Sequence, residues 1–150
     1  MTKLKRILLA EDNENDIELT LSALGEKNLA NRVDVVHDGD EVLDYLHCRG
    51  QYAQRDTGNP VVLLLDLKMP KVDGLEVLQE IKSDEHLKQI PVVVLTSSRQ
   101  EEDLVESYHL GANAYVVKPV GFDEFVMAIK ELGMFWAVLN EPPPNHVTKL

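Results

Sequence analysis

Val61-Val62-Leu63-Leu64-Leu65-Asp66-Leu67-Lys68-Met69-Pro70 sets five apolar residues in a row against a single carboxylate. The run is short and does not alternate, which suits a strand buried on both faces of a parallel sheet. Four more runs share that length and flatness: residues 7–10, 33–36, 91–95 and 114–117. Between them lie longer stretches with helical periodicity. Residues 15–27 carry Ile17, Leu21 and Leu24 on one stripe, and Leu75, Leu78 and Ile81 form another after Gly74. Asp38 with Glu41, and Ser98 with Glu101, have the spacing of capping boxes. Gly111 follows Leu110 where a left-handed helix cap is expected. Strand then helix, five times over, predicts an α/β fold with right-handed crossovers.

Residues 47–60 are polar and long for a helix-to-strand connection, so they are expected to form a surface loop with little defined structure. Glu141-Pro142-Pro143-Pro144-Asn145 cannot continue a helix. One domain over 1–140 and a tail over 141–150 are therefore expected, with no output domain. The chain has 150 residues, 44% hydrophobic and 27% charged, enough for one ordinary core. Its net charge of −11 argues against non-specific binding to nucleic acid or anionic membrane. No leader segment is expected, no apolar run nears membrane-spanning length, and Cys48 is the single cysteine. A cytoplasmic protein without disulfides is the expectation.

In an open parallel sheet, ligands bind beyond the carboxyl ends of the strands. Those positions hold Glu11-Asp12 after the first run, Asp66 after the third, Thr96 after the fourth and Lys118-Pro119 after the fifth. Three carboxylates at one edge repel one another and raise one another's pKa values. A hard divalent cation such as Mg²⁺ removes that conflict. A lysine, a hydroxyl and a cation around one carboxylate would stabilise the charge of a transferring phosphoryl group. Asp66, already ionised at neutral pH, needs no base to act as the nucleophile.

This order of features over about residues 4–139 resembles the response-regulator receiver family. The resemblance rests on Glu11-Asp12, Leu64-Leu65-Asp66, Met69-Pro70, Gly74, Thr96 and Lys118-Pro119. It implies a flavodoxin-like, five-stranded parallel sheet of order 2-1-3-4-5 in three α/β/α layers. It also implies that a sensor histidine kinase phosphorylates Asp66, with Mg²⁺ held by Asp12, Asp66, the backbone carbonyl of Lys68 and, through water, Glu11. Thr96 and Lys118 would bind the phosphoryl oxygens, and Tyr115 would be the switch aromatic that follows Thr96. A cis Lys118-Pro119 bond belongs to the same pattern. Lys68 sits where the family tunes phosphoryl lifetime, and its effect has no sign from sequence.

Two rival readings share the fold. An aspartyl phosphatase would want a second aspartate two residues after the nucleophile, where Lys68 stands. A receiver-like scaffold without phosphorylation would not need every pocket residue. The five histidines lack metal-ligand spacing, and His47-Cys48 alone makes a poor case for a chromophore thioether. The last helix is predicted to pack through Phe125, Ile129, Leu132 and Trp136, leaving Met127, Met134 and Val138 nearly opposite and Phe135 and Leu139 to one side. A helix apolar almost all round implies a partner surface at Met134, Phe135, Trp136, Val138 and Leu139. The Gly133-Met134-Phe135-Trp136 stretch and the long loop also resemble single-domain regulators that partner phytochrome-type kinases. That likeness implies a homodimer through the fourth helix, fifth strand and fifth helix.

Overall fold

The flat apolar runs become five parallel strands. In order, the elements are β1 (Ile7–Ala10), α1 (Glu14–Gly25), β2 (Val33–Val36), α2 (Gly39–Leu46), β3 (Val62–Leu65), α3 (Gly74–Ser83), β4 (Val92–Thr96), α4 (Glu101–His109), β5 (Ala114–Val117) and α5 (Phe122–Met134). This is a computed structural model that describes residues 6–26, 28–29, 32–55, 58–97, 100–118, 122–136 and 140. The sheet order is β2-β1-β3-β4-β5, with every neighbouring pair parallel. The flavodoxin-like order and the three-layer architecture stand as expected.

Alternation along each strand sends side chains to two separate cores. Leu8, Ala10, Leu63, Leu65, Val92 and Val94 face the layer of α2 and α3, packing on Val42, Leu46, Val77, Leu78 and Ile81. Ile7, Leu9, Val62, Leu64, Val93 and Leu95 face the other layer, against Leu24, Val126 and Ile129. Burial on both faces holds for β1, β3 and β4; the edge strands β2 and β5 are mostly half-buried. Edge position explains the difference, since each edge strand lacks a neighbour on one side.

The Asp38 cap is present, but with a shift. Asp38 accepts from the Glu41 N–H at 2.8 Å, while the Glu41 carboxylate reaches back to the N–H of His37, one residue before the cap. The second box differs: α4 starts at Glu101 with Gln100 as its cap residue and no side-chain cap bond. Ser98 itself lies outside the described residues. The far end of α4 closes as predicted, with Gly111 at φ 104° and N–H bonds from Gly111 to Tyr108 and from Ala112 to Ser107.

The α2–β3 connection is not the loose loop expected. It contains a short 3₁₀ turn, Gly50–Tyr52, and it is pinned by aromatic and cationic side chains. Tyr52 stacks edge-on against Tyr45 at 5.1 Å and donates its hydroxyl to Glu41. The Arg55 guanidinium lies 4.1 Å from the Tyr45 ring centre and donates to the carbonyls of Tyr45 and Gly58. Polar composition suggested solvent; these side chains instead bind one another. The tail over 141–150 lies outside the described residues.

Candidate functional site

The sheet places the site by continuing its ladders one residue past the strands. Glu11 donates its N–H to Val36 at 3.0 Å, and Asp66 donates to Ala10 at 3.1 Å. Lys118 donates its N–H to Thr96 at 2.7 Å. These three residues are therefore held by backbone before their side chains do anything. Asp66 is 6% exposed, Glu11 2%, and Thr96 is fully buried as the last residue of β4. Gly74 lets α3 close onto the Asp66 loop: a Cβ there would lie 2.6 Å from the Asp66 carbonyl oxygen and the Leu67 Cα. Any larger residue would push the helix off the loop that carries the carboxylate.

One carboxylate oxygen from each of Glu11, Asp12 and Asp66 lies within 4.8 Å of the others. Lys118 enters the same space, its Nζ at 2.6 Å from Glu11, 2.7 Å from Asp16 and 3.3 Å from Asp66. Three carboxylates thus share one ammonium group, with Asp12 as a fourth acid beside Glu11 and Asp66. Burial drives the Glu11 pKa up to about 7, and the neighbouring Asp66 adds to the rise, while Lys118 opposes it. Burial alone would lower the Lys118 pKa, but its bonds to Asp16 and Glu11 raise it above the usual lysine range. A buried carboxylate that resists ionisation beside two others marks a shortage of positive charge. Hard oxygen donors with that shortage fit a divalent cation such as Mg²⁺.

The sequence-derived residues meet at this edge. Glu11, Asp12, Asp66, Thr96 and Lys118 lie where strand-end reasoning puts them. Asp16 was missed; it sits in the first turn of α1, next to the β1 end, and only a count of acids around that end would have flagged it. Tyr115 is half-buried on β5 and packs against the α2/α3 core. Lys68 donates its N–H to Asp66 Oδ1 at 3.2 Å, but its side chain is 66% exposed, with Nζ 4.0 Å from Asp103. A groove of about 390 Å³ opens there, between the Asp66 loop and α4, lined by Leu67, Met69 and Leu75 with Lys68, Asp73 and Asp103. The Lys118-Pro119 bond falls outside the described residues.

At α5, Ile129 is fully buried and Trp136 packs on the core, as the periodicity predicted. Met127 and Phe135 are 60% and 47% exposed, and Phe135 meets Trp136 edge-on at 4.9 Å. Met134 is half-buried. Val138 and Leu139, with the side chains of Phe125 and Leu132, lie outside the description. Val126, which the periodicity did not single out, joins the core beside Ile129.

The sequence model of the response regulator receiver domain matches residues 7–130. The chain is 37% identical over 132 residues to response regulator Rcp1 of Synechocystis sp., covering 88% of this chain and 88% of that protein. A Mn(2+)-bound structure of Rcp1 superposes with a TM-score of 0.84 at 35% identity, over 93% of this chain and 99% of that one. The phosphorylated cyanobacterial phytochrome response regulator RcpA gives a TM-score of 0.87 at 42% identity, over 95% and 100%. The bacteriophytochrome response regulator RtBRR is 61% identical, with a TM-score of 0.76 over 95% and 86%.

Proposed function

This chain belongs to the response regulator receiver family, and on that premise we propose that it is a stand-alone switch phosphorylated on Asp66. The observation that carries the assignment is the position of that carboxylate: buried, fixed by the ladder to β1, and 3.3 Å from the Lys118 ammonium. Members of the family are phosphoacceptor switches that answer to sensor kinases, and they bind Mg²⁺ at the acidic pocket.

Asp12 and Asp66 would ligate the ion directly, with Glu11 acting through water and the Lys68 carbonyl completing the protein ligands. The ion supplies the positive charge that four carboxylates and one lysine lack. Asp66 attacks the phosphorus of a phosphohistidine; its O–P bond forms as the N–P bond breaks, and the imidazole leaves with the electron pair. Lys118, held in place by Asp16 and Glu11, sits within reach of the new phosphoryl oxygens. Thr96 offers its hydroxyl to the same group, and Tyr115 follows the space that Thr96 vacates. That movement changes the surface of α4, β5 and α5.

Names of the relatives support a phytochrome-type kinase as donor, and the net charge of −11 disfavours nucleic acid as the target. Self-association would centre on the end of α5, where Phe135 and Trp136 form an aromatic corner. Sedimentation of Phe135→Asp tests this: an unchanged mass relative to wild type removes the support. For Asp66 the test is intact-mass spectrometry after incubation with acetyl phosphate and Mg²⁺. One phosphoryl group is expected on the wild type and none on Asp66→Asn; an adduct of equal yield on both would sink the assignment.

A further inference from the structure

An ammonium group has three N–H donors, and at Lys118 three carboxylates take them unequally. The contacts to Glu11 and Asp16 are short, 2.6 and 2.7 Å, as charge-assisted bonds are. The contact to Asp66 is 3.3 Å, beyond the usual range for a nitrogen donor. The nucleophile thus has the weakest hold on the ammonium beside it. Glu11 belongs to the oxygens that converge with Asp12 and Asp66, where a cation would draw it away from Lys118. Asp16 stands outside that set. Its backbone is fixed twice in the first turn of α1: its N–H donates to Asn13 at 3.0 Å, and its carbonyl accepts from the buried Thr20 hydroxyl at 2.7 Å. Its carboxylate therefore holds Lys118 from a rigid point.

We infer that Asp16 is a positioning residue for phosphoryl transfer: it holds Lys118 back from the Asp66 carboxylate, so that the ammonium meets the incoming phosphoryl oxygens instead. The inference rests on the reading of Asp66 as the phosphoacceptor. A lysine stem is flexible, and without a second anchor its ammonium closes on the nearest carboxylate. A close Lys118–Asp66 pair stabilises the charge of the nucleophile before attack and so raises the barrier. A contact that is slack before transfer and tight during it does the reverse, because only interactions stronger in the transition state speed a reaction. The phosphoryl oxygens stand one P–O bond beyond the carboxylate oxygen, and a held-back ammonium leaves them room. Plain electrostatics predicts the opposite effect, since the negative charge of Asp16 repels a phosphate donor and its removal should speed the reaction. The sign of the change therefore decides between them.

The experiment follows phosphoryl adduct formation on the full chain by intact mass, with acetyl phosphate as donor and Mg²⁺ at a concentration shown to saturate each variant. The Asp66 oxygen bonds phosphorus as acetate leaves with the electron pair, so no further reactant is needed. Asp16→Asn keeps both backbone bonds and should slow the initial rate about tenfold, within the coupling range of charged neighbours. Asp16→Glu restores the carboxylate and should recover most of that rate. Glu18→Gln removes the same charge from an exposed position on α1 and should stay within about twofold of wild type. In a Lys118→Met background, Asp16→Asn should change the rate by less than about twofold, since nothing is left to position. A rate for Asp16→Asn equal to or above wild type overturns the proposal. So does a loss that persists without Lys118, or one that Glu18→Gln reproduces, because either makes the effect structural or one of net charge. A wild type that takes no phosphoryl group overturns the Asp66 reading and this inference with it. A wild type that does, with Asp16→Asn its equal, overturns this inference alone.

Discussion

Two clusters of partly buried charge, one beside edge strand β2 and one at the carboxyl ends of the strands, are balanced differently. Beside edge strand β2, Asp34 accepts from the Arg6 guanidinium at 2.6 and 3.3 Å and from the Tyr45 hydroxyl at 2.5 Å. Arg55 covers the Tyr45 ring, and Tyr52 carries the network on to Glu41. Two guanidinium groups meet two carboxylates. Despite burial, the bonds from Arg6 and Tyr45 hold Asp34 below the usual carboxylate range, and the bond to Asp34 raises Arg6. Burial and the bonds to Asp34 and Glu41 push the Tyr45 and Tyr52 hydroxyls up. Arg6, Asp34, Tyr45 and Tyr52 are each driven deeper into the state they already hold at neutral pH. At the carboxyl edge of the sheet, Glu11 is driven the other way, toward protonation. A balanced network holds structure, whereas an unbalanced one waits for a cation.

The strongest way to break that contrast is to remove the one ammonium group. Lys118→Met leaves Glu11, Asp16 and Asp66 without their shared partner, and losing one side of a buried pair costs about 3–5 kcal/mol. Urea unfolding in EDTA should show that loss, and saturating Mg²⁺ should restore most of it. At the β2 edge, Asp34→Asn weakens bonds from Arg6 and Tyr45. The carboxylate is about a third exposed, so the expected loss is smaller, about 1–2 kcal/mol, and Mg²⁺ should not reverse it. If Mg²⁺ rescues both variants equally, the distinction between the clusters fails.

Proton linkage sharpens it further. The Glu11 pKa is raised in the folded state, from the ordinary 4.5 to about 7. Its contribution in the metal-free protein is therefore complete below pH 4.5 and is lost as pH climbs through 7. Mg²⁺ wants the ionised acid, so its affinity should rise by up to about tenfold per pH unit below 7 and level off above it. Calorimetry in buffers of different ionisation enthalpy should detect proton release at pH 6 and little at pH 8. Equal release at both would mean that Glu11 is ionised throughout.

How much of this was legible in the sequence follows from what each residue answers to. The five strands and Glu11, Asp12, Asp66, Thr96 and Lys118 were readable because a buried parallel strand is a flat apolar run, and its ligand end is the next residue. Asp16 was not, because it sits in the first turn of α1 and reaches Lys118 only through the fold, 102 positions away. The Arg55 anchor was hidden by composition, since Tyr45, Tyr52 and Arg55 look like ordinary loop and helix residues until the chain turns at Gly50.

That anchor supplies the smallest effect and the most local one. Arg55 holds the loop by the flat face of its guanidinium on Tyr45 and by two donors aimed at fixed carbonyls. Lysine keeps the charge but offers neither the plane nor the fork. Arg55→Lys should cost about 1 kcal/mol or less of global stability, within the range of a partly exposed cation–π contact. Its signature should instead be regional: faster amide exchange over residues 50–58, with the amides of Glu11, Asp66 and Lys118 unchanged. The balanced cluster then behaves as a clasp on one loop, uncoupled from the site across the sheet. Faster exchange at Asp66 in this variant would show that the two clusters are one system, and that the tightness of the α2–β3 connection reaches the phosphoacceptor.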